Sequence, residues 1–127
     1  MHQPTDAAKA AALRTTLRAF SRDSEAITRR HGLSPRQYEL LVMIKADEAG
    51  RSTVSALVDL LHLTQSTVTE LVQRAEDAGL LRRRQSADDG RVVHLSLTED
   101  GDRRVSSAIA DLGPERARLI DALRALR

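Results

Sequence analysis

The chain has 127 residues, a formal net charge of +2 and no cysteine, which excludes disulfides, thiolate zinc sites and thiol redox sensing. Phe20 and Tyr38 are its only aromatic residues, so stacking of nucleic-acid bases on aromatic side chains is not expected. No apolar run is long enough to span a membrane and the N-terminus is polar, so we expect one cytoplasmic domain over residues 1–127, without a membrane partner.

Residues 7–30 are predicted to form the first helix, because apolar side chains recur along one face at steps of three and four. One polar residue, Ser24, lies on the same stripe, which otherwise consists of Leu13, Leu17, Phe20 and Ile27. Gly32 is expected to end this helix.

Three further helices are predicted from their N-terminal caps. Ser34 is placed to cap a second helix to about residue 47, with Pro35 in its first turn and Gln37 closing a capping box. Thr53 caps a third helix to about residue 61. After a tight turn, Thr64 caps a fourth, which ends at Gly79.

A β-hairpin is predicted next, with arms over residues 81–85 and 92–97. Its turn contains Asp88, Asp89 and Gly90, and we expect Gly90 to adopt a positive φ. Thr98 then caps a fifth amphipathic helix. A break at residues 113–114 precedes a sixth.

A helix, a short turn, a helix with a polar outer face and a hairpin form, in this order, a helix-turn-helix followed by a wing. The major groove of DNA admits one α-helix, and side chains near the helix N-terminus reach base edges. We expect the fourth helix to contact double-stranded DNA through Gln65, Ser66, Thr67, Thr69, Gln73 and Arg74. Taken alone, it is equally consistent with an ordinary surface helix, since Ser and Thr are common at helix starts.

The hairpin favours the DNA-binding interpretation. A narrow minor groove has an enhanced negative potential that attracts arginine, and Arg91 is expected at the wing tip. Asp89, two residues earlier, is placed to hold the Arg91 guanidinium extended. By itself this pair would be a weak exposed ion pair, but together with the helix pair it predicts a second DNA contact.

The whole sequence resembles the MarR family of winged-helix transcriptional regulators. The resemblance is carried by TQSTVTELVQRAEDAGLL, by the Asp89-x-Arg91 pair and by LSLTEDG, in the family's order and spacing. It implies a mainly α fold with a small β-hairpin wing, in which a winged helix-turn-helix core (33–98) is flanked by dimerisation helices (1–32 and 99–127). It also implies a homodimer that binds pseudo-palindromic operators, mostly as a repressor, and often releases DNA on binding a small anionic aromatic compound. No cofactor is implied.

In this resemblance Arg83 and Arg84 match basic positions of the wing strands, although either can instead be structural. Glu70 departs from the family pattern, because many members have a basic or neutral residue there. It either accepts a hydrogen bond from cytosine or pairs with Arg74 at i, i+4. His62 stands where the family often has glycine, which indicates a positive φ.

The first, fifth and sixth helices are amphipathic yet lie outside the winged-helix core, so their apolar faces need a partner surface. A twofold partner provides one and presents two recognition helices one DNA turn apart. The residues expected at this homodimer interface are Leu13, Leu17, Phe20, Ile109, Leu112, Leu119 and Leu123. The resemblance implies an effector pocket between these helices and the core, near Arg22, His31 and Tyr38.

An enzyme is not expected, because the histidines are scattered and no nucleophile elbow or phosphate loop is present. Metal bound across a dimer stays open. The main alternative function is a winged-helix protein-interaction module, which Glu70 and the acidic pair Glu76-Asp77 would suit. Arg91 argues against it, because such a module has no need of an Asp-x-Arg wing tip.

Overall fold

The computed structural model describes residues 3–127, which form six helices and a small antiparallel sheet. The helices are α1 (Asp6–Arg30), α2 (Pro35–Ala46), α3 (Val54–Leu61), α4 (Gln65–Asp77), α5 (Glu99–Asp111) and α6 (Gly113–Ala125). The strands are β1 (Arg51–Ser52), β2 (Leu81–Gln85) and β3 (Val93–Leu97). The predicted mainly α fold with a β-hairpin wing is confirmed.

Helices α1 to α5 each begin at a Ser or Thr whose side chain accepts a hydrogen bond from a backbone N–H of the first turn. These N-caps are Thr5, Ser34, Thr53, Thr64 and Thr98. The capping box predicted between Ser34 and Gln37 is present. Each such cap typically contributes about 1 kcal/mol, which explains why the helix starts follow from local sequence.

The sheet has the strand order β1-β3-β2, with all pairs antiparallel. The hairpin register runs from Leu81 opposite Leu97 to Gln85 opposite Val93. The third strand, β1, was not predicted. It is two residues long and has no alternation to detect, so only its pairing with β3 defines it.

The hydrophobic core lies around α2 and receives side chains from every helix of the winged helix and from both strands of the hairpin. Its fully buried members include Leu40, Leu41, Ile44, Leu57, Val68, Val72, Leu95, Val105 and Ala108. Helix α5 supplies the last two, so its inner face belongs to the chain's own core. Helices α1 and α6 pack against each other outside this core. In the described residues, α6 has no buried side chain and α1 has only Thr28.

The backbone of α5 lies very close to the start of the wing at Gly101. A Cβ atom there would collide with the Leu80 carbonyl oxygen and lie 2.8 Å from the carbonyl carbon. Thr98 holds the same corner, because its hydroxyl donates to the Gly79 carbonyl at 2.6 Å and its N–H donates to the Leu80 carbonyl at 3.1 Å. Packing against Leu80 therefore requires the glycine of LSLTEDG.

Gly101→Ala is expected to lower the free energy of unfolding by about 2 kcal/mol or more, because α5 or the wing must move to relieve the collision. Helix propensity alone predicts the opposite sign, a gain of about 1 kcal/mol. Urea unfolding followed by circular dichroism measures the difference.

Gly113→Ala is the matched control. A Cβ at Gly113 would meet only the Arg116 Nη2 atom, at 3.8 Å, so this variant should be as stable as the wild type or more so. Equal stability of Gly101→Ala and the wild type would show that the Leu80 contact does not require glycine.

Candidate DNA-binding surface

The turn between α3 and α4 contains a residue in the left-handed region. His62 ends α3 with φ 56° and ψ 40°, which confirms the predicted positive φ. Thr64 then caps α4, its hydroxyl accepting from the Thr67 N–H at 3.2 Å and donating to the Thr67 hydroxyl at 2.9 Å. These contacts fix the direction in which α4 leaves the turn.

Helix α4 has one buried and one exposed face. Val68, Val72 and Ala75 are completely buried in the core. All the side chains of α4 expected to contact DNA are exposed: Gln65, Ser66, Thr67, Thr69, Gln73 and Arg74. The helix therefore presents the predicted set to the outside as one surface.

Several of these exposed side chains are already hydrogen-bonded within the chain. Arg74 pairs with Glu70 at 2.6 Å, so the i, i+4 interpretation of Glu70 is confirmed. The Gln73 amide donates to Asp77 at 3.0 Å. Within residues 3–127, Gln65 and Thr69 have no side-chain hydrogen bond, which leaves both free for a ligand.

The wing tip is a turn closed by the side chains of Ser86 and Asp89. The Ser86 hydroxyl accepts from the N–H groups of Asp88 and Asp89, both at 3.3 Å. Asp89 Oδ1 accepts from the Arg91 N–H at 3.0 Å and, more weakly, from its Nε at 3.5 Å. The Arg91 side chain is 93% exposed, so Asp89 orients a guanidinium that stands in solvent.

Gly90 does not adopt the positive φ that we expected from the Asp-Asp-Gly turn. The turn is closed instead by the two side chains just described and by the Gln85 amide, which donates to the Gly90 carbonyl at 3.1 Å. Such side-chain contacts substitute for a glycine conformation. The role of Ser86 was missed, although Ser preceding Asp residues is a turn signal.

The arginines of β2 lie on two faces of the sheet, because successive side chains of a strand alternate. Arg83 shares the face of the buried Leu81 and contacts α4, with its Nε 3.1 Å from Glu76 Oε1 and its Nη2 3.0 Å from Gln73 Oε1. Arg84 is on the opposite face, exposed, and makes no ion pair within residues 3–127. Of the two basic positions expected to face DNA, Arg83 is therefore already bonded to α4.

The exposed apolar surface of the flanking helices lies on α1 and α6. Leu13, Leu17 and Ile120 are 39%, 36% and 43% exposed. Half-buried residues of the predicted interface adjoin them: Phe20, Leu119 and Leu123. Leu112 and Ile109 were expected there too. Leu112 is only 2% exposed, however, and Ile109 packs against the core. The sequence did not show this, because periodicity reveals an apolar face but not what covers it.

A cavity of about 230 Å³ lies between α1, α2 and α6. Its walls include Phe20, Ser24, Thr28, Tyr38 and Arg116. Ser24 was visible as the polar member of the α1 stripe, whereas nothing in the sequence connected Arg116 with Tyr38.

Only Tyr38 of the predicted effector residues lines this cavity. Arg22 is 82% exposed and lies 3.7 Å from Asp23. The His31 Nε2 is 2.6 Å from Asp111 Oδ2, away from the cavity. Arg22 and His31 therefore do not share this cavity with Tyr38, because proximity along the sequence did not indicate which side of α1 each residue occupies.

Two polar groups distinguish the cavity from ordinary core. The Ser24 hydroxyl is buried and has no hydrogen-bond partner within residues 3–127. Burial raises the pKa of the Tyr38 phenol, and the nearby positive charge of Arg116 opposes that rise. An unpaired buried hydroxyl is unfavourable, so a ligand or water that bonds Ser24 would be stabilised here.

Potential metal-ligating side chains are dispersed. Nowhere in residues 3–127 do three or more His, Asp or Glu groups come together in the way a metal site needs. None of the helices in that part of the chain combines the length and apolar character of a membrane span.

Comparison with known proteins identifies relatives of the surface just described. A model of the MarR family matches residues 31–92, which contain the helix-turn-helix and the wing tip. The organic hydroperoxide resistance transcriptional regulator of Bacillus subtilis is 38% identical over 65 residues, covering 51% of this chain and 43% of that protein. The chain spans about half the length of the curated relatives that it matches first.

Solved structures share the arrangement of helices and wing. AbsC, a MarR family transcriptional regulator from Streptomyces coelicolor, superposes with a TM-score of 0.69 at 25% identity, covering 99% of this chain and 82% of that one. A mutant of MarR from E. coli, complexed with operator DNA, gives a TM-score of 0.73 at 19% identity, covering 84% and 75%. At that identity the second likeness is one of fold alone. With the match over residues 31–92, these findings show that the helix-turn-helix and wing of this chain are of the MarR family type.

Proposed function

We propose that this chain is a sequence-specific, double-stranded-DNA-binding transcriptional regulator of the cytoplasm, acting as a homodimeric repressor on a pseudo-palindromic operator. The observation that carries the proposal is the wing tip, where Asp89 orients the solvated Arg91. The exposed face of α4 is the second observation that supports the proposal. Curated relatives are transcriptional regulators, and one structural neighbour is complexed with operator DNA.

Base recognition by α4 falls chiefly to Gln65 and Thr69, because both are exposed and free of hydrogen bonds within residues 3–127. A glutamine amide can bond the N6 and N7 edge of adenine, and a threonine methyl can contact the methyl of thymine. Arg74 reaches a phosphate only by breaking its ion pair with Glu70. The nitrogen and the oxygen of the Gln73 amide are both already hydrogen-bonded. Ser66 and Thr67 share the hydroxyl of the Thr64 cap.

The protein-interaction module remains the alternative, and the internal bonds of α4 weaken it. The acidic pair that suited it is engaged within the chain, with Glu76 accepting from Arg83 and Asp77 from Gln73. Neither carboxylate is left as a free acidic patch. Salt dependence separates the two functions, since counterion release makes DNA affinity fall steeply with salt.

The proposed dimer uses the apolar surface of α1 and α6 around Leu17 and Ile120. Solvent-exposed apolar side chains on two packed helices are typical of an interface between copies. A twofold arrangement would also present two α4 helices to successive major grooves of one operator.

The proposed effector site is the cavity lined by Phe20, Ser24, Tyr38 and Arg116. The two aromatic rings suit an aromatic ligand, and the Arg116 guanidinium suits an anionic one. The cavity is also lined by two carboxylates, Glu25 and Glu39, which are ion-paired with Arg29 and Arg36. The Ser24 hydroxyl would gain the hydrogen bond that it lacks within residues 3–127. A small aromatic carboxylate has this combination of groups.

Arg91→Ala is expected to weaken specific DNA binding by about 1–3 kcal/mol and to lower the salt slope by about one unit. Fluorescence anisotropy against DNA from upstream of the gene, with unrelated DNA as competitor, measures both. Arg18→Ala, at an exposed position of α1, is the control and should bind the DNA with wild-type affinity. Wild-type binding that is absent, or equal on both DNAs at every salt concentration, would instead support the protein-interaction module.

Leu17→Glu is expected to shift the protein towards monomer at micromolar concentration, because a carboxylate would be buried at the proposed interface. Analytical ultracentrifugation measures the shift. Leu60→Glu is the matched control, since Leu60 is 51% exposed on α3 and lies outside the proposed interface. A Leu17→Glu protein that stays as dimeric as the control would exclude this face.

Ser24→Leu is expected to abolish ligand binding in the cavity by filling it, while DNA binding persists. A thermal shift screen of small aromatic carboxylates should raise the midpoint of the wild type by a few degrees with at least one compound. The variant should not respond, whereas Ser107→Leu, at an exposed position of α5, should respond like the wild type. Equal responses in all three proteins would place the ligand elsewhere.

A further inference from the structure

Arg83 is a charged residue on the inner face of the wing. It lies two residues after the buried Leu81 and therefore on the same face of β2. Its cross-strand neighbour is Leu95, which is 1% exposed. The side chains of Arg83 and its partner Glu76 are 35% and 33% exposed. The pair therefore lies at the edge of the core, where solvent screens it less than a surface pair.

One guanidinium joins the wing to two successive turns of α4. The Arg83 Nε lies 3.1 Å from Glu76 and its Nη2 donates to the Gln73 amide oxygen at 3.0 Å. The nitrogen of that amide donates to Asp77 at 3.0 Å. Because a guanidinium is planar and its donors are fixed in direction, such a double contact restrains angle as well as distance.

The outer half of the wing needs such a restraint. From Arg83 to the tip the hairpin is a two-stranded ribbon, and isolated ribbons twist and bend more readily than larger sheets. The angle between hairpin and α4 decides where Arg91 lies when Gln65 and Thr69 face the bases. A small change in this angle at the base of the hairpin moves the tip by a larger distance. The Arg83 contact, close to the base, therefore limits the displacement of Arg91.

We propose that Arg83 is a positioning residue for DNA recognition: its bonds to Glu76 and Gln73 hold the wing at a fixed angle to α4, and Arg83 itself neutralises no phosphate. The proposal rests on the proposed DNA-binding function. It removes Arg83 from the residues that touch DNA and adds Glu76, an acidic residue, to those that DNA affinity requires.

For Glu76, the proposal predicts a change in DNA affinity of the opposite sign to the one that its charge alone predicts. Removing a carboxylate near DNA should tighten binding if only its charge mattered. If Glu76 holds Arg83, its removal should weaken binding instead. Glu76→Ala keeps a good helix former in α4, so the helix is preserved while the acceptor is lost.

The test compares Arg83→Met, Glu76→Ala and the double variant with two controls. Arg84→Met removes the neighbouring arginine from the other face of β2, and Asp59→Ala removes an exposed carboxylate of α3. Dissociation constants are measured by anisotropy at several salt concentrations, at a temperature where circular dichroism shows every variant folded. Hydrogen exchange of the wing amides, including those of Ser86 and Val92, is measured without DNA.

Each single variant is expected to bind the specific DNA about tenfold more weakly, and the double variant no more weakly than either, because both changes break one contact. The salt slope of Arg83→Met should equal that of the wild type. Wing amides should exchange faster in both single variants and at the wild-type rate in Arg84→Met. Asp59→Ala should bind as tightly as the wild type or more tightly.

A salt slope that falls by about one unit in Arg83→Met would make Arg83 a phosphate contact and overturn the proposal. Unchanged or tighter binding by Glu76→Ala would overturn it as well. If the wild type binds no DNA specifically, the proposed function fails by itself. The exchange rates then decide whether Arg83 holds the wing, and wild-type rates in Arg83→Met would overturn that too.

Discussion

The contact between the α5 backbone and the Leu80 carbonyl is the constraint on which the rest of the structure depends. Thr98 caps α5 and also donates to Gly79, so the end of α4, the start of β2 and the start of α5 meet at one corner. Helix α5 then places Val105 in the core. A helix expected to serve only dimerisation is therefore part of the body that carries the wing, and only Gly101 allows it to approach so closely.

The arginine content overstates the positive charge that the proposed DNA surface can offer. Arg74 and Arg83 are both paired with carboxylates of α4, whereas Arg91 is exposed and Arg84 has no ion pair within residues 3–127. A net charge of +2 therefore says little about affinity. What matters is that internal pairs define the shape of the surface, while the solvated guanidinium at the wing tip is oriented by a single carboxylate.

Features set by neighbours along the chain were predictable, and features set by distant contacts were not. The N-caps of α2 to α5 and the Glu70–Arg74 pair follow from local spacing, whereas the positive φ of His62 was implied by the family resemblance. Strand β1, the burial of Leu112 and the Arg83–Glu76 bond depend on how separate elements pack. The Gly90 prediction was wrong for a different reason. Glycine is compatible with a positive φ, but the side chains of Gln85, Ser86 and Asp89 close the turn without one.

The cavity links the flanking helices to the winged-helix core, because Ser24 belongs to α1, Arg116 to α6 and Tyr38 to α2. A ligand that touches all three favours one arrangement of those helices over others. Under the proposed regulation, linkage requires that a ligand which weakens DNA binding is itself bound more weakly by the DNA complex. Since α2 lies at the centre of the core and α5 contacts Leu80 through Gly101, packed side chains connect α1 and α6 with the start of the wing.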